Sequence, residues 1–410
     1  MSGVGEWIGF AAGVLIVLGT SASVVKTLVV PRGMSSRITA AVTRMTVTAF
    51  HLIADRFGNW ERRDRILASL GPGLLLSLLG VWLGLFLAGY ALMLWPLING
   101  SFGDAVRISG SSMLTLGIAS ATDAAPTALI FLAAATGLII VAVQIAYLPV
   151  LYGAFNRRET LVTMLQSRGG APIWGPEVLA RHELVDIVDN LKDLYAEWER
   201  WAADVAETHT NYPVLLYFRS PHPLRSWILA VLAVADAAAL QRAINPYTAP
   251  SETRLVLRMS ATALRDIATG MRIPFDSDPS PEDAIQLTEA EFVDAVRHVK
   301  EAGWHLETTV DEAWRHFRGW RVNYEHVGYA IADAIEAPPA PWSGPRRHLP
   351  GLVIPPVRPT DRRPAWREEL RTETARRRGG GPTAGYVPRR DGAAAAAEVE
   401  APPEEVPSAN

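Results

Sequence analysis

Few side chains in this chain have the type and spacing for covalent or metal chemistry. The helix-like run His182-Glu183-Leu184-Val185-Asp186 places Asp186 where a zinc-binding helix needs its second imidazole, so it presents no two-histidine face. His298, His305, His316 and His326 share no i, i+3 or i, i+4 pairing. The chain has no cysteine, which excludes a disulfide, a thiolate site and a Cys nucleophile. Neither a Gly-rich phosphate loop nor a Ser/His/Asp arrangement in recognisable context is present. These residues predict no enzyme, no cofactor and no metal. What remains is a stretch of main chain, "RISGSSMLTLGIASATD" at residues 107–123, which lies between two hydrocarbon-length apolar runs and is too polar to cross a bilayer itself. Non-helical backbone at membrane depth is tolerated only where protein buries it or water reaches it.

The elements that must position this stretch are apolar helices. The 410-residue chain carries a formal charge of −3, which leaves no footprint for nucleic acid. Residues 1–30 hold the first transmembrane helix, uncharged from Trp7 to Val25; Glu6, with no Lys or Arg before it, argues for an uncleaved anchor. A second uncharged run extends from Ile66 to Gly103 and contains Trp95-Pro96, an interfacial aromatic followed by a helix stop. The third covers Ala124 to Asn156. Residues 31–65 form a linker with Arg32, Arg37, Arg44, Arg56, Arg62, Arg63 and Arg65, whereas residues 1–6 have no basic residue. The positive-inside rule then sets the N-terminus outside and the linker and C-terminus in the cytoplasm, the pattern of a multi-pass protein of a bacterial inner (plasma) membrane. Within the linker, Ile38, Val42, Met45, Ala49 and Leu52 or Ile53 share one helical face, fitting either a helix lying on the anionic lipids of the inner leaflet or one packed on the cytoplasmic domain.

Asp104 stands at a helix start, and about ten residues of weakly amphipathic helix follow to near Thr115, too short to span and suited to a re-entrant half-helix. Here the residues resemble the potassium-channel superfamily, which sets a pore helix and a selectivity filter between an outer and an inner helix. Its pattern, aromatic-Asp-Ala-hydrophobic-x-x-Ser and then Thr-Val-Gly-Tyr-Gly-Asp, is met by Phe102, Asp104, Ala105, Val106, Ser109, then Ser112, Thr115, Leu116, Gly117, Ile118, Ala119 and Ser120. The resemblance implies a pore domain over residues 66–158 with its pore loop at 102–123. It implies a hydroxyl ring from Thr115, carbonyls of Leu116, Gly117 and Ile118 toward permeant cations such as K+, and a homotetramer around one axis. Gly137 falls where that family carries a hinge glycine; Pro149 would kink the inner helix or mark its end, and Gly137 would otherwise serve close helix contact. Gln144, nearly on the Gly137 face, would line the inner vestibule or make an interhelical hydrogen bond. Asp104, Thr122 and Asp123 would ring the outer mouth or sit in a solvated loop. The chain departs from the family at Ile118 and at Ala119, where a left-handed L-residue would cost about 1–2 kcal/mol. Arg107 is expected to pair with Asp104 at i, i−3.

Residues 159–337 read as a helical cytoplasmic domain, with helices expected at 157–168, 176–211, 223–244, 252–271, 289–302 and 310–337, and with capping boxes at Thr288/Glu291 and Thr309/Glu312. Between Arg225 and Arg242 the run is too short to be a fourth span and contains Asp236, which then needs a partner. Arg219, His222 and Arg225, in a segment with two X-Pro steps, fit an anion or lipid headgroup site or a rigid turn. Residues 338–410 are Pro/Arg/Gly/Ala-rich and predict a disordered tail. The expected fold is thus all-α: three transmembrane helices, a re-entrant pore helix, a cytoplasmic helical domain and a tail. The expected function is a tetrameric cation channel with a cytoplasmic regulatory domain. The alternative is a non-conducting membrane-anchored scaffold or sensor on the same fold.

Overall fold

The computed structural model describes residues 3–30 and 36–342, and within them every regular element is helical. Arg32 and the tail from residue 343 lie outside the described residues. Helix α1 (Val4–Val24) runs on into a single π turn, Val25–Val29. Helices α2 (Arg37–Ala54) and α3 (Trp60–Leu67) form the linker, each started by a side chain that accepts a backbone N–H, Ser36 from Thr39 and Asn59 from Glu61. Helix α4 (Leu70–Leu94) ends in a 3₁₀ turn at Trp95–Leu97, and α5 (Phe102–Met113) follows. Helix α6 (Ala124–Gly169) has 46 residues, about 69 Å at the standard rise. The expected separate helix at 157–168 is therefore part of α6: Pro149 removes one hydrogen bond, and no breaker follows until Gly169-Gly170.

The remaining helices are α7 (Gly175–Leu184), α8 (Leu191–Asn211), α9 (Trp227–Ile244), α10 (Glu252–Met271), α11 (Glu289–Glu301), α12 (Val310–Arg321) and α13 (Glu325–Ala334). Two expected long helices are each two. The first breaks at Val185–Ile187, where Asp186 takes φ +57° and Ile187 N–H reaches the His182 carbonyl at 2.9 Å, the bonding of a Schellman stop. The second breaks at Asn323, whose side-chain amide takes the Gly319 and Trp320 carbonyls at 3.1 and 3.2 Å and so competes with the helix for its own acceptors. Thr288 and Thr309 do cap α11 and α12.

Among the described residues four segments are long and apolar enough to cross a membrane, the mark of a multi-pass membrane protein: Val4–Val29, Trp60–Leu97, Ala124–Gly169 and Trp227–Ile244. They differ in what covers them. In Trp227–Ile244, 94% of the apolar window is buried inside the protein, against 22%, 44% and 28% in the other three. Helix α9 is accordingly the core of the helical domain, packed by α7, α8, α10, α12 and α13. A helix apolar all round needs such a casing. Its one acid, Asp236, is fully buried and bound by Arg321 and by the Tyr324 hydroxyl at 2.8 Å. Arg321 also reaches Glu325 at 2.8 Å, the Tyr329 hydroxyl at 2.8 Å and the Trp342 carbonyl. Burial works against this guanidinium, yet Asp236, Tyr329 and Glu325 outweigh it and hold its pKa well above the usual value. Trp342 is itself buried, so residues 338–342, expected to begin the tail, pack on the domain.

Helix α1 crosses α4 at two glycines: a Cβ added at Gly13 would lie 2.5 Å from the Gly89 carbonyl. Close backbone approach of this kind is how helices associate where no hydrophobic effect drives them together. Trp82 Nε1 donates to Ser23 Oγ at 3.1 Å in the same interface. Helix α2 tucks Val42 into this bundle and leaves Met45 (73%), Leu52 (62%) and Ile53 (48%) exposed, so its apolar face is divided between protein and the surroundings.

Arg158 joins the two parts of the chain. It is fully buried and donates to Glu159 (2.9 Å), His209 Nε2 (3.0 Å) and the Leu215 and Phe218 carbonyls (2.9 and 2.6 Å). An arginine can only donate, so His209 Nε2 accepts and its Nδ1–H is left to donate to the Val205 carbonyl at 3.0 Å. Burial, then the Arg158 charge, hold the His209 pKa well below its ordinary value, and the folded protein keeps this ring neutral. The unfolded chain binds a proton there below about pH 6.5 and the folded one does not, so the stability His209 contributes is full above that pH and is lost as pH falls toward the folded value. Thermal midpoints measured between pH 8 and 5 should drop on the acid side, and His209→Gln should flatten that slope; an unchanged slope in the variant would remove His209 from the account.

Candidate functional site

Three elements build the site, and their contacts give its depth. At its start α5 stands beside the end of α4: the Trp95 and Phe102 rings lie 5.4 Å apart. Ser101 caps it, accepting from Asp104 N–H at 3.2 Å, while the Asp104 carboxylate accepts from Ser101 N–H and hydroxyl at 2.9 and 2.8 Å. Further down, the Ser109 hydroxyl donates to the Leu87 carbonyl at 3.1 Å. Leu87 lies seven residues before Leu94, about 10 Å along α4. At its end, the Met113 carbonyl meets Gly137, thirteen residues beyond Ala124 and about 20 Å along α6. A Cβ on Gly137 would stand 2.1 Å from that oxygen. Helix α5 is therefore a wedge of 12 residues driven down between α4 and α6.

The chain then turns back. Thr115 takes φ +55°, Thr115 N–H reaches the Ser112 carbonyl at 3.1 Å and Leu116 N–H the Ser111 carbonyl at 2.8 Å, a Schellman stop. Gly117 is also left-handed, at φ +68°. Ala119 is not, so the strain expected there falls on Thr115, where a β-branched residue takes a conformation that costs about 1–2 kcal/mol. The buried Ser111 hydroxyl accepts from Ala119 N–H at 2.9 Å and anchors the return. Ala119 and Ala121 then pack among Ala91, Leu94 and Ala105, back at the Trp95 end. Among the described residues, the carbonyls of Leu114 through Ser120 accept no hydrogen bond. Leu116 and Ile118 are 57% and 63% exposed.

The expected site residues fall into three groups. Thr115, Leu116, Gly117, Ile118 and Ala119 lie together in the returning loop. Asp104, Thr122 and Asp123 are exposed near the two helix starts; Asp123 is the N-cap residue of α6. Arg107 is exposed, and no ion pair joins it to Asp104, whose carboxylate serves the Ser101 cap instead. Gly137, Gln144 and Pro149 lie in one unbroken helix. Gln144 is buried with Ile140, Tyr147 and Leu151 on the face packed against α4, and its Oε1 has no hydrogen-bond partner. The open face of α6 is a stripe at seven-residue intervals, Phe131, Leu138, Ile145 and Tyr152, each at least 46% exposed.

Sequence reasoning missed Ser111, Met113 and this stripe. The stripe was legible as a heptad; the other two act through partners eight and twenty-four residues away.

No histidine pair or acidic cluster competes for the role. Among the described residues no group of His, Asp and Glu could hold a metal. His182 is buried and bonded to the Val178 carbonyl at 2.7 Å, and burial lowers its pKa. His298 Nε2 lies 2.6 Å from Glu177, which also binds Arg181 at 2.9 Å. No protein-family model, no curated protein and no solved structure matches the chain.

The wedge makes two opposite predictions for thermal unfolding of the purified protein in detergent. Gly137→Ala should cost about 2 kcal/mol or more, because backbone must move to admit the methyl group. Thr115→Gly should leave stability unchanged or raise it by up to about 1 kcal/mol, because it removes left-handed strain. A neutral Gly137→Ala would mean that α5 is not seated on α6.

Proposed function

We propose that this chain is a channel-like subunit of an oligomeric inner-membrane protein, its N-terminus outside and its helical domain in the cytoplasm. In this reading α1, α4 and the first part of α6 cross the bilayer, α5 enters from outside, and the loop 114–120 turns back near the middle of the hydrocarbon. The observation that carries the reading is the row of carbonyls without hydrogen bonds in that loop. Oxygens left bare among lipid tails would cost several kcal/mol each, so they must face water or another protein chain. A symmetric assembly supplies both, with one loop per subunit around an axis; the resemblance makes the number four. Cations such as K+ are the species that such oxygens attract. The exposed α6 stripe at Phe131, Leu138, Ile145 and Tyr152 then faces lipid or a neighbouring subunit.

One observation favours a second reading, a non-conducting scaffold or sensor built on the same frame. The loop begins with a helix stop at Thr115 rather than an extended run, and apolar Leu116 and Ile118 are its exposed side chains. The absence of native cysteine separates the two readings, since any introduced thiol is the only one. With the protein in liposomes, charged thiol reagents should modify Ile118→Cys and change cation flux, while buried Gln144→Cys should resist them. No flux at any voltage from an intact oligomer would leave the scaffold reading in its place.

A further inference from the structure

Three residues that line a single cavity each carry a buried polar group with nothing to bind. These groups are the Ser220 hydroxyl, Arg225 Nε and Trp227 Nε1, and none has a hydrogen-bond partner. Ser220 and Trp227 are 5% and 2% exposed, so solvent does not satisfy them, and an unmet buried donor costs about 1–3 kcal/mol. Folded proteins rarely leave three such groups around one space.

The cavity lies at the start of α9. Ser226, its N-cap residue, makes no side-chain cap bond, and the first turn holds no acid, so the amides at this helix end are uncapped. A helix N-terminus carries partial positive charge. The two nitrogen groups can only donate, the hydroxyl can donate, and Arg225 is cationic. These polar groups, set in an otherwise mostly apolar lining, suit an anion with several acceptor oxygens.

The charges nearby do not fill that role. Arg219, which lines the cavity, is spent on Asp64 at 2.6 Å and on the Ile335 and Glu336 carbonyls at 3.0 Å each. Glu336 is taken by Arg63 at 2.6 Å and approached by His51 at 3.3 Å. Glu159, whose charge reaches Arg225, is held by Arg158 at 2.8 Å through Oε1, while its Oε2 has no partner and does not line the cavity. Arg225 itself makes one side-chain bond, from Nη1 to Thr163 Oγ1 at 3.2 Å, and its Nε has no partner. His222, which the sequence grouped with Arg219 and Arg225, is exposed and does not line it.

Size narrows the ligand. The cavity, about 20 Å³, admits one water-sized atom and is partly open at its mouth. A group that seats one oxygen inside and keeps the rest in the mouth fits; a bulky anion that must be swallowed whole does not. Leu67, which ends α3, and Leu70, which starts α4, form part of the wall, so the cavity adjoins an apolar segment of membrane-crossing length.

We infer that this cavity binds a phosphate group, one oxygen held by Ser220, Arg225 Nε and Trp227 Nε1 at the N-terminus of α9. The phosphate comes from a phospholipid headgroup or from solution, and the site does not depend on the pore reading. The test uses the full-length protein in two arms. Inorganic phosphate is titrated calorimetrically into delipidated protein, and phosphatidylglycerol retention is read by native mass spectrometry of protein released from nanodiscs. Arg225→Gln and Trp227→Phe each remove a donor while keeping size, and should weaken binding by about tenfold or more; Ser220→Ala is the mildest change in the same direction. A circular dichroism melt close to that of the native chain verifies that each variant is folded. Phosphate binding that the variants weaken assigns the site to soluble phosphate, and lipid retention that they abolish assigns it to a headgroup; either supports the inference. If neither ligand binds the native chain, or if binding survives all three substitutions, the inference is wrong and the groups are bridged by buried water.

Discussion

The contact that the membrane-facing half depends on is a backbone carbonyl resting on a glycine, Met113 on Gly137. It fixes how far α5 descends between α4 and α6, and no other residue at position 137 leaves room for it. Where α5 stops, the chain turns, and the turn falls on Thr115 in a left-handed conformation. The stretch that follows is left without internal hydrogen bonds, and in the proposed re-entrant placement lipid would not satisfy it. Ser111 then ties the returning strand at Ala119 and brings it back beside Leu94. In that placement the need for a covering partner or for water follows from one steric fit.

The helical domain is fastened to this half by arginines rather than by apolar contact alone. Helix α6 runs from one into the other without a break, and Arg158 on it holds the segment that leads to α9. Arg219 on that segment reaches back to Asp64 of α3 and across to the end of α13, while Arg63 joins α3 to Glu336. Breaking one buried pair by removing a partner is costly, because a charge is then left in a low-dielectric interior. Helix α6, the linker and the domain are thus joined by buried charges as well as by the chain itself.

How much of this was legible in the sequence depended on how local the cause was. Helix α10 fell on its expected residues, and the Thr288 and Thr309 caps were readable, because capping is set within four residues. The burial of α9 was readable from its length and from Asp236 within it; that Arg321 was the partner was not, since 85 residues separate them. The break at Asp186 was hidden because the apolar pattern continues across it, and only the left-handed tolerance of Asp marks the stop. The short α5 between two spans was readable from length and polarity. The expected Arg107–Asp104 pair does not close to an ion pair because the carboxylate has a nearer claim, the Ser101 cap; the Arg107 charge acts on it only as a lesser influence. Gln144, expected to line a vestibule or to bond between helices, sits in the packed interior of the chain, and a heptad of apolar side chains stands outside.

The central claim is that α5 carries the chain down into the bilayer and the loop carries it back. A spin label on a single cysteine placed in turn at Phe102, Thr115 and Thr122, with the protein in lipid nanodiscs, reads depth from the ratio of collisions with oxygen and with a water-soluble nickel complex. The account predicts shallow values at Phe102 and Thr122 and a deep one at Thr115, set apart by roughly half the hydrocarbon thickness, about 15 Å. Equal depths at all three positions would mean that the segment lies along the surface, and the account would fail.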